Sequence, residues 1–228
     1  MADSGPRVKV AILAVPEVTA SAVYAMYDLL AAAGRDWAFI TTGVPGEQRM
    51  EPYVVARDNT PVLSANGISI TPDHTIDDCP EPAIVCIPDF SHMPGESCAG
   101  RFEPEVAWIR RCHAGGATLT SVCTSAMLMA ETGLLDGYDA TIHWAYSESL
   151  TRHYPTIRLH PNRALVVTGV GQRIVMAGGG TSHLTWCFID RPVRRSAGCA
   201  RGRESLSHRL ARCRSAAVRV AAGRPAGQ

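Results

Sequence analysis

The chain has 228 residues, 46% of them hydrophobic and 19% charged, with a formal net charge of +1. This balance excludes wholesale disorder, a coiled coil and collagen, and no apolar run approaches the 18 residues of a membrane span. The near-neutral sum hides two halves: residues 1–190 carry 12 basic and 20 acidic side chains, whereas 191–228 carry ten arginines and one acid, Glu204.

The first seven residues, MADSGPR, lack the apolar core of a secretory signal, and residues 1–6 read as a disordered start. Val8–Val15 (VKVAILAV) is a short apolar run ended by Pro16, which predicts a buried strand. Ala20–Ala33 has Val23, Met26, Tyr27 and Leu30 on one helical face, and Gly34 suits the helix end. Trp37–Thr42 reads as a second strand, Pro45–Val62 as a polar, irregular stretch and Gly67–Ile70 as a short strand. Ala83–Ile87 (AIVCI) predicts another buried strand, ended by Pro88-Asp89. A loop over Ser91–Arg101 turns at Pro94-Gly95, and Phe102–His113 is a helix with Pro104 in its first turn.

Ala117–Val122 then predicts a strand with Cys123 at its end, followed by a helix over Thr124–Leu134. Ala140–Ile142 is briefly extended, and Ala145–His153 is a helix halted before Pro155. Leu165–Val167 and Arg173–Met176 flank Gly169–Gly171 as a hairpin, and Gly178–Gly180 leads toward a further helix. Short connections between alternating elements predict an α/β domain with a mostly parallel sheet and helices on both faces.

A buried strand running straight into a helix with one cysteine at the junction has the layout of a nucleophile elbow. Backbone N–H groups and the helix dipole would favour the Cys123 thiolate, lowering its pKa and making it a nucleophile or a redox sensor. The competing reading is an inert buried cysteine. His143 is the best candidate base, with a helix-capping histidine as its alternative. Glu17 is the only acid at the carboxyl end of the first strand, the edge where open α/β sheets bind ligands, and there it would face Cys123. The eight cysteines include no CxxC pair, and the His, Asp and Cys residues of DHTIDDC match no metal template. Free thiols in a reducing cytoplasm, with neither metal nor cofactor, are the expectation.

The segment SVCTSAMLMAETGLLDGYDATIHW resembles the cysteine-elbow region of ThiJ/PfpI-like proteins, within the class I glutamine amidotransferase-like fold. More closely it resembles the GlxA-type branch, in which such a domain forms the N-terminal half of an AraC-type transcription regulator. AVPEVTASAVYAMYDLLAAAGRDW, the IPDF…PGESCAGRF loop and RLHPNRALVVTGVGQRIVMAGGGTS are similar to that branch too. The resemblance covers about residues 7–184. It implies a flavodoxin-like three-layer sandwich that binds a small-molecule effector near Cys123, associates as a homodimer and meets no membrane. It contacts DNA only where a DNA-binding half is joined to it.

The departures concern chemistry. Thr124, where hydrolytic relatives have histidine, follows Cys123, as in the regulators and the isonitrile hydratases. The latter place an aspartate where Ser21 stands. Pro88-Asp89-Phe90 replaces the glycine pair that helps form the amidotransferase oxyanion hole, and acyl transfer without preorganised donors loses a large contribution. The resemblance therefore implies a ligand- or redox-sensing domain over residues 7–185, with Thr124, Asp89 and Ser21 beside the ligand. The alternative is a stand-alone cysteine hydratase or hydrolase using Cys123, His143 and Glu17.

Residues 186–228 have no strand pattern and little helical periodicity. One reading is a basic arm that binds nucleic acid through phosphates. The favoured reading is a disordered, out-of-frame tail starting around Thr185–Cys187. Shifted by one nucleotide, permissible codons for SHRLARCRSAAVR can spell LIDWHDAGQRPFA, and those for CFIDRPV can spell ALLIARF, both similar to the GlxA branch. A clean reading frame on resequencing, with no DNA-binding sequence in the shifted frame, would remove it.

Overall fold

The computed structural model describes residues 7–179. The expectations for 1–6 and for 186–228, together with the helix after Gly180 and the frame change near Thr185–Cys187, lie outside the described residues.

The chain opens with β1 (Val8–Leu13), α1 (Ala20–Ala32), α2 (Asp36–Thr42) and β2 (Met50–Ala56). Three two-residue strands follow: β3 (Val62–Leu63), β4 (Ser69–Ile70) and β5 (His74–Thr75). Next come β6 (Ile84–Ile87), α3 (Glu103–Ala114), β7 (Thr118–Val122) and α4 (Ser125–Glu131). Then come β8 (Asp139–Ala140), a 3₁₀ turn at Trp144–Tyr146, α5 (Ser147–His153), β9 (Arg158–Leu159), β10 (Leu165–Thr168) and β11 (Ile174–Ala177), the last element among the described residues.

Seven strands form one sheet in the order β10-β11-β7-β6-β1-β2-β5. All its pairings are parallel except the β10–β11 hairpin. With its helices this is the α/β, flavodoxin-like arrangement. The central strands are apolar on both faces because both are covered, so the interior of β6 (IVCI) is buried throughout. Register then sets the functional edge. Ile87 pairs with Ser121 and Val122 with Ala177, so the exits of β6, β7 and β11 lie side by side.

Two expectations fail, both between α1 and β3. Trp37–Thr42 is not a strand but lies in α2, with Asp36 in its first turn and Gly43 ending it in the left-handed conformation at φ 75°. The hydroxyls of Thr41 and Thr42 donate to the carbonyls of Trp37 and Ala38, so these β-branched residues bond within the helix. No residue of α2 is buried, so its apolar letters never meet a sheet. The strand beside β1 is β2, inside the stretch read as irregular. Pro52 disguised it. The residue is tolerated because β2 pairs with β1 along its length but with β5 only at Val55 and Ala56, so at Pro52 only the β1 side carries a ladder.

Gly178 has a steric reason. A Cβ there would lie 2.7 Å from Thr141 Oγ1 and 3.1 Å from the Arg163 carbonyl oxygen, so only glycine lets these segments approach.

Candidate functional site

Cys123 sits between β7 and α4 at φ 56°, a left-handed conformation that costs a non-glycine residue roughly 1–2 kcal/mol. The turn is held from both sides. The Cys123 N–H donates to the Ala177 carbonyl at 2.8 Å. Ser125 Oγ lies 2.8 Å from the carbonyls of Ile87 and Val122 and accepts the Val122 N–H at the same distance.

The Thr124 hydroxyl is engaged inside the fold. Its Oγ1 donates to the Phe90 carbonyl at 2.7 Å and accepts the Phe90 N–H at 3.1 Å, entirely within the interior. This double bond fixes the Pro88-Asp89-Phe90 exit of β6 against the start of α4. It also occupies the Phe90 N–H, so that donor is not free for an oxyanion.

Asp89 is half-buried beside the thiol. Its carboxylate accepts Thr19 Oγ1 at 2.7 Å, and its carbonyl accepts the Thr19 N–H at 2.8 Å. Burial first, and then the charge of Asp89, push the Cys123 thiol up to about 11, against an opposing bond from the Thr124 backbone N–H. The expected thiolate-favouring environment is thus overturned. Desolvation outweighs the Thr124 N–H at the start of α4, and the charge that acts on the thiol, Asp89, is negative.

Glu17 arrives near this edge by its backbone. Val15-Pro16-Glu17-Val18 is a tight turn closed by the Val18 N–H on the Val15 carbonyl at 3.0 Å, with Glu17 at φ 64°. The Glu17 carbonyl accepts the Ser91 N–H, and Val18 bridges to Phe90. Its carboxylate is engaged elsewhere, however, 2.7 Å from an Arg101 guanidinium nitrogen. Arg101 in turn stacks on the rings of Phe102 and Phe90, at 4.8 and 5.8 Å.

His143 caps the 3₁₀ turn. Its Nδ1 accepts the Ala145 N–H at 3.2 Å, which places the proton of the neutral ring on Nε2 and leaves no lone pair for a thiol proton. No hydrogen bond among the described residues joins it to Cys123. Ser21 is exposed on the first turn of α1 and takes no part in these bonds.

Two residues that the sequence reading passed over complete the site. Tyr146 has its phenol pushed up by burial first, then by Cys123 and Asp89, which places it within their field. Its hydroxyl donates to the His92 carbonyl at 2.7 Å, and its ring stacks on His92 at 6.3 Å and meets His143 edge-on at 6.0 Å. His92 is 7% exposed and lies 3.7 Å from the Cys98 sulfur through Nε2. The clue was available in principle, since Tyr146 follows His143 by three residues across a turn, but nothing local reveals which ring points inward.

A cleft of about 690 Å³ opens at the same sheet edge, lined by Glu17, Arg57, Asp58, Ser64 and Glu105 among others. Cys123 is not one of its lining residues.

The DJ-1/PfpI family model matches residues 8–169, most of the chain and every side chain named at this site, though not β11. The chain belongs to the DJ-1/PfpI family. This DJ-1/PfpI domain is 33% identical over 118 residues to isonitrile hydratase from Pseudomonas putida, covering 52% of this chain and 49% of that protein. It is 30% identical over 137 residues to the HTH-type transcriptional regulator CdhR from Pseudomonas aeruginosa, covering 57% of this chain and 37% of that one. A segment of 76 residues is 34% identical to the HTH-type transcriptional regulator GlxA from Rhizobium meliloti, 33% of this chain and 22% of the regulator. The DJ-1/PfpI domain thus spans half or less of these curated relatives. Among solved structures, an AraC family transcriptional regulator from Pseudomonas putida superposes with a TM-score of 0.60 at 16% identity, over 79% of this chain and 88% of that one. Oxidized DJ-1 from Toxoplasma gondii does so at 0.58 and 19%, over 80% and 88%. At such identities the likeness is one of fold. Among the described residues of the domain there is no cluster of three metal-ligating side chains, and no helix is long and apolar enough to cross a membrane.

Proposed function

We propose that this domain is the small-molecule-sensing part of a GlxA-type, AraC-family transcription regulator, and that it holds its effector beside Cys123 without turning it over. The observation that carries this reading is the Thr124 hydroxyl bonded to both backbone groups of Phe90. A nucleophilic thiol needs a deprotonated sulfur and donors for the charge that develops. Here the thiol is held protonated by burial and by Asp89, and the Phe90 N–H is already taken. What remains is a thiol donor, a carboxylate acceptor and the ring of Tyr146, a set suited to recognition. The regulator relatives support the same assignment, and DNA contact then belongs to the helix-turn-helix half of such a protein. The working form is a cytoplasmic homodimer, read out by its mass in solution.

A second reading, a cysteine hydratase or hydrolase, is favoured by the left-handed backbone of Cys123, the geometry of a nucleophile elbow, and by the isonitrile hydratase match. The experiment that separates them is turnover of wild-type protein and Cys123→Ala on isonitriles, nitriles, amides and aldehydes. The sensor reading expects no turnover that depends on Cys123. Turnover that disappears in Cys123→Ala would establish the enzyme instead.

A further inference from the structure

On the amino side of the sheet, away from the β7–α4 junction, two more free cysteines share one cleft. Cys79 lies in the connection from β5 to β6, and Cys112 lies near the end of α3; both are partly exposed. A cleft of about 460 Å³ is lined by both of them, together with Trp108, Arg111, Asp77 and Glu81. Trp108 and Cys112 stand four residues apart and so share one face of α3. The Cys79 side chain hydrogen-bonds to that same Trp108. The next turn of the connection is tied to the same helix, because an Arg111 guanidinium nitrogen donates to the Ile76 carbonyl at 3.3 Å. Tyr53 feels both sulfurs, and Cys79 in turn raises Cys112. Both thiols therefore line one cleft open to small molecules, with Cys112 within the electrostatic reach of Cys79.

We propose that Cys79 and Cys112 form a dithiol that closes reversibly to a disulfide, clasping the β5–β6 connection to α3 by exchange with a small-molecule disulfide. Cys79 attacks first. Its thiolate attacks one sulfur of the reagent; a Cys79 mixed disulfide forms and one thiol leaves with the proton. The Cys112 thiolate then attacks the Cys79 sulfur and displaces the second thiol. Two protein thiols are oxidised by two electrons, and one reagent disulfide is reduced to two thiols.

Burial holds both thiols largely protonated, Cys112 up to about 11, so the thiolate needed for attack is scarce at neutral pH. Closure is consequently slow at pH 7 and gains nearly tenfold per pH unit until the attacking thiol has titrated. The ring so closed contains Asp89, Phe90 and His92 but not Cys123 itself.

The test uses the full chain with oxidised glutathione as the probe, followed by mass spectrometry of the linked peptides and by thermal melting. The expected result is a Cys79–Cys112 disulfide, lost in both Cys79→Ser and Cys112→Ala. A rise in Tm on the order of 5–10 °C should accompany it and vanish on reduction. A persistent glutathione adduct on Cys79 alone, a link to Cys98 or Cys123, or no modification at pH 9 would each overturn the proposal. The peptide map is read on wild-type protein, so the result stands even where a variant folds poorly.

Discussion

Side chains at the Cys123 junction illustrate how much a single position decides. Glu17 occupies the third place of a tight turn after Pro16, where a positive φ favours glycine. It gains only a half-exposed ion pair with Arg101 in return, worth at most a few tenths of a kcal/mol. Glu17→Gly should therefore be at least as stable as the native chain, by up to about 1 kcal/mol in urea unfolding. Glu17→Ala, which keeps the strain and loses the pair, should fall below both. If Glu17→Gly proves the least stable of the three, the ion pair outweighs the backbone. For Cys123 itself, Asp89→Asn removes the negative neighbour and should lower the thiol from about 11, speeding alkylation by iodoacetamide at pH 8. An unchanged rate would mean that burial alone governs the thiol.

Between elements, the bond pair from Thr124 to Phe90 joins the exit of β6 to the start of α4. Thr124→Val keeps the shape but strands a buried N–H and a buried carbonyl, so it should cost about 2 kcal/mol, well above the cost of Thr124→Ser. Equal losses for the two would show that packing, and not the hydroxyl, holds the junction. This scale also shows what the sequence could and could not disclose. The apolar runs of β1, β6 and β7 were legible because each is buried on both faces, and the β7–Cys123–α4 junction followed from them. The exchange of α2 for β2 was not legible. WAFITT has the letters of a strand, and only its failure to find a covered position makes it a helix, while Pro52 hides a strand with one open side. Asp89 was singled out by the resemblance, where Pro88-Asp89-Phe90 stands in place of the glycine pair after β6. Tyr146 and His92 were missed because they meet only where the Ser91–Arg101 loop returns onto the Trp144–Tyr146 turn and α5, fixed by Tyr146 on the His92 carbonyl and by Ser149 on the Glu96 carbonyl.

At the level of the whole domain, buried ionisable groups set how the fold answers to pH. Glu105 of α3 is fully buried and is held by Arg57, which follows β2, through bonds of 3.0 and 2.8 Å. Its charge is matched, whereas the buried thiols have no cation of comparable weight. Cys98, Cys112 and Cys123 are each pushed up to about 11, in every case by burial before any other cause. In the unfolded chain these thiols return to their ordinary value near 9. A group whose folded pKa lies above its unfolded one binds its proton more tightly when folded, so its contribution to stability is fully present below about pH 9. It is lost as pH climbs from there to about 11. Tyr53 and Tyr154 are raised in the same direction, chiefly by burial, and extend the loss at the upper end. The urea midpoint should accordingly stay level from pH 7 to 8.5 and fall steadily between pH 9 and 11, and the fall should be shallower in Cys98→Ala, which removes one of the three thiols. A midpoint that holds constant to pH 11 would mean that these thiols ionise as freely in the fold as outside it, and the protonated state assigned to Cys123 would fall with them.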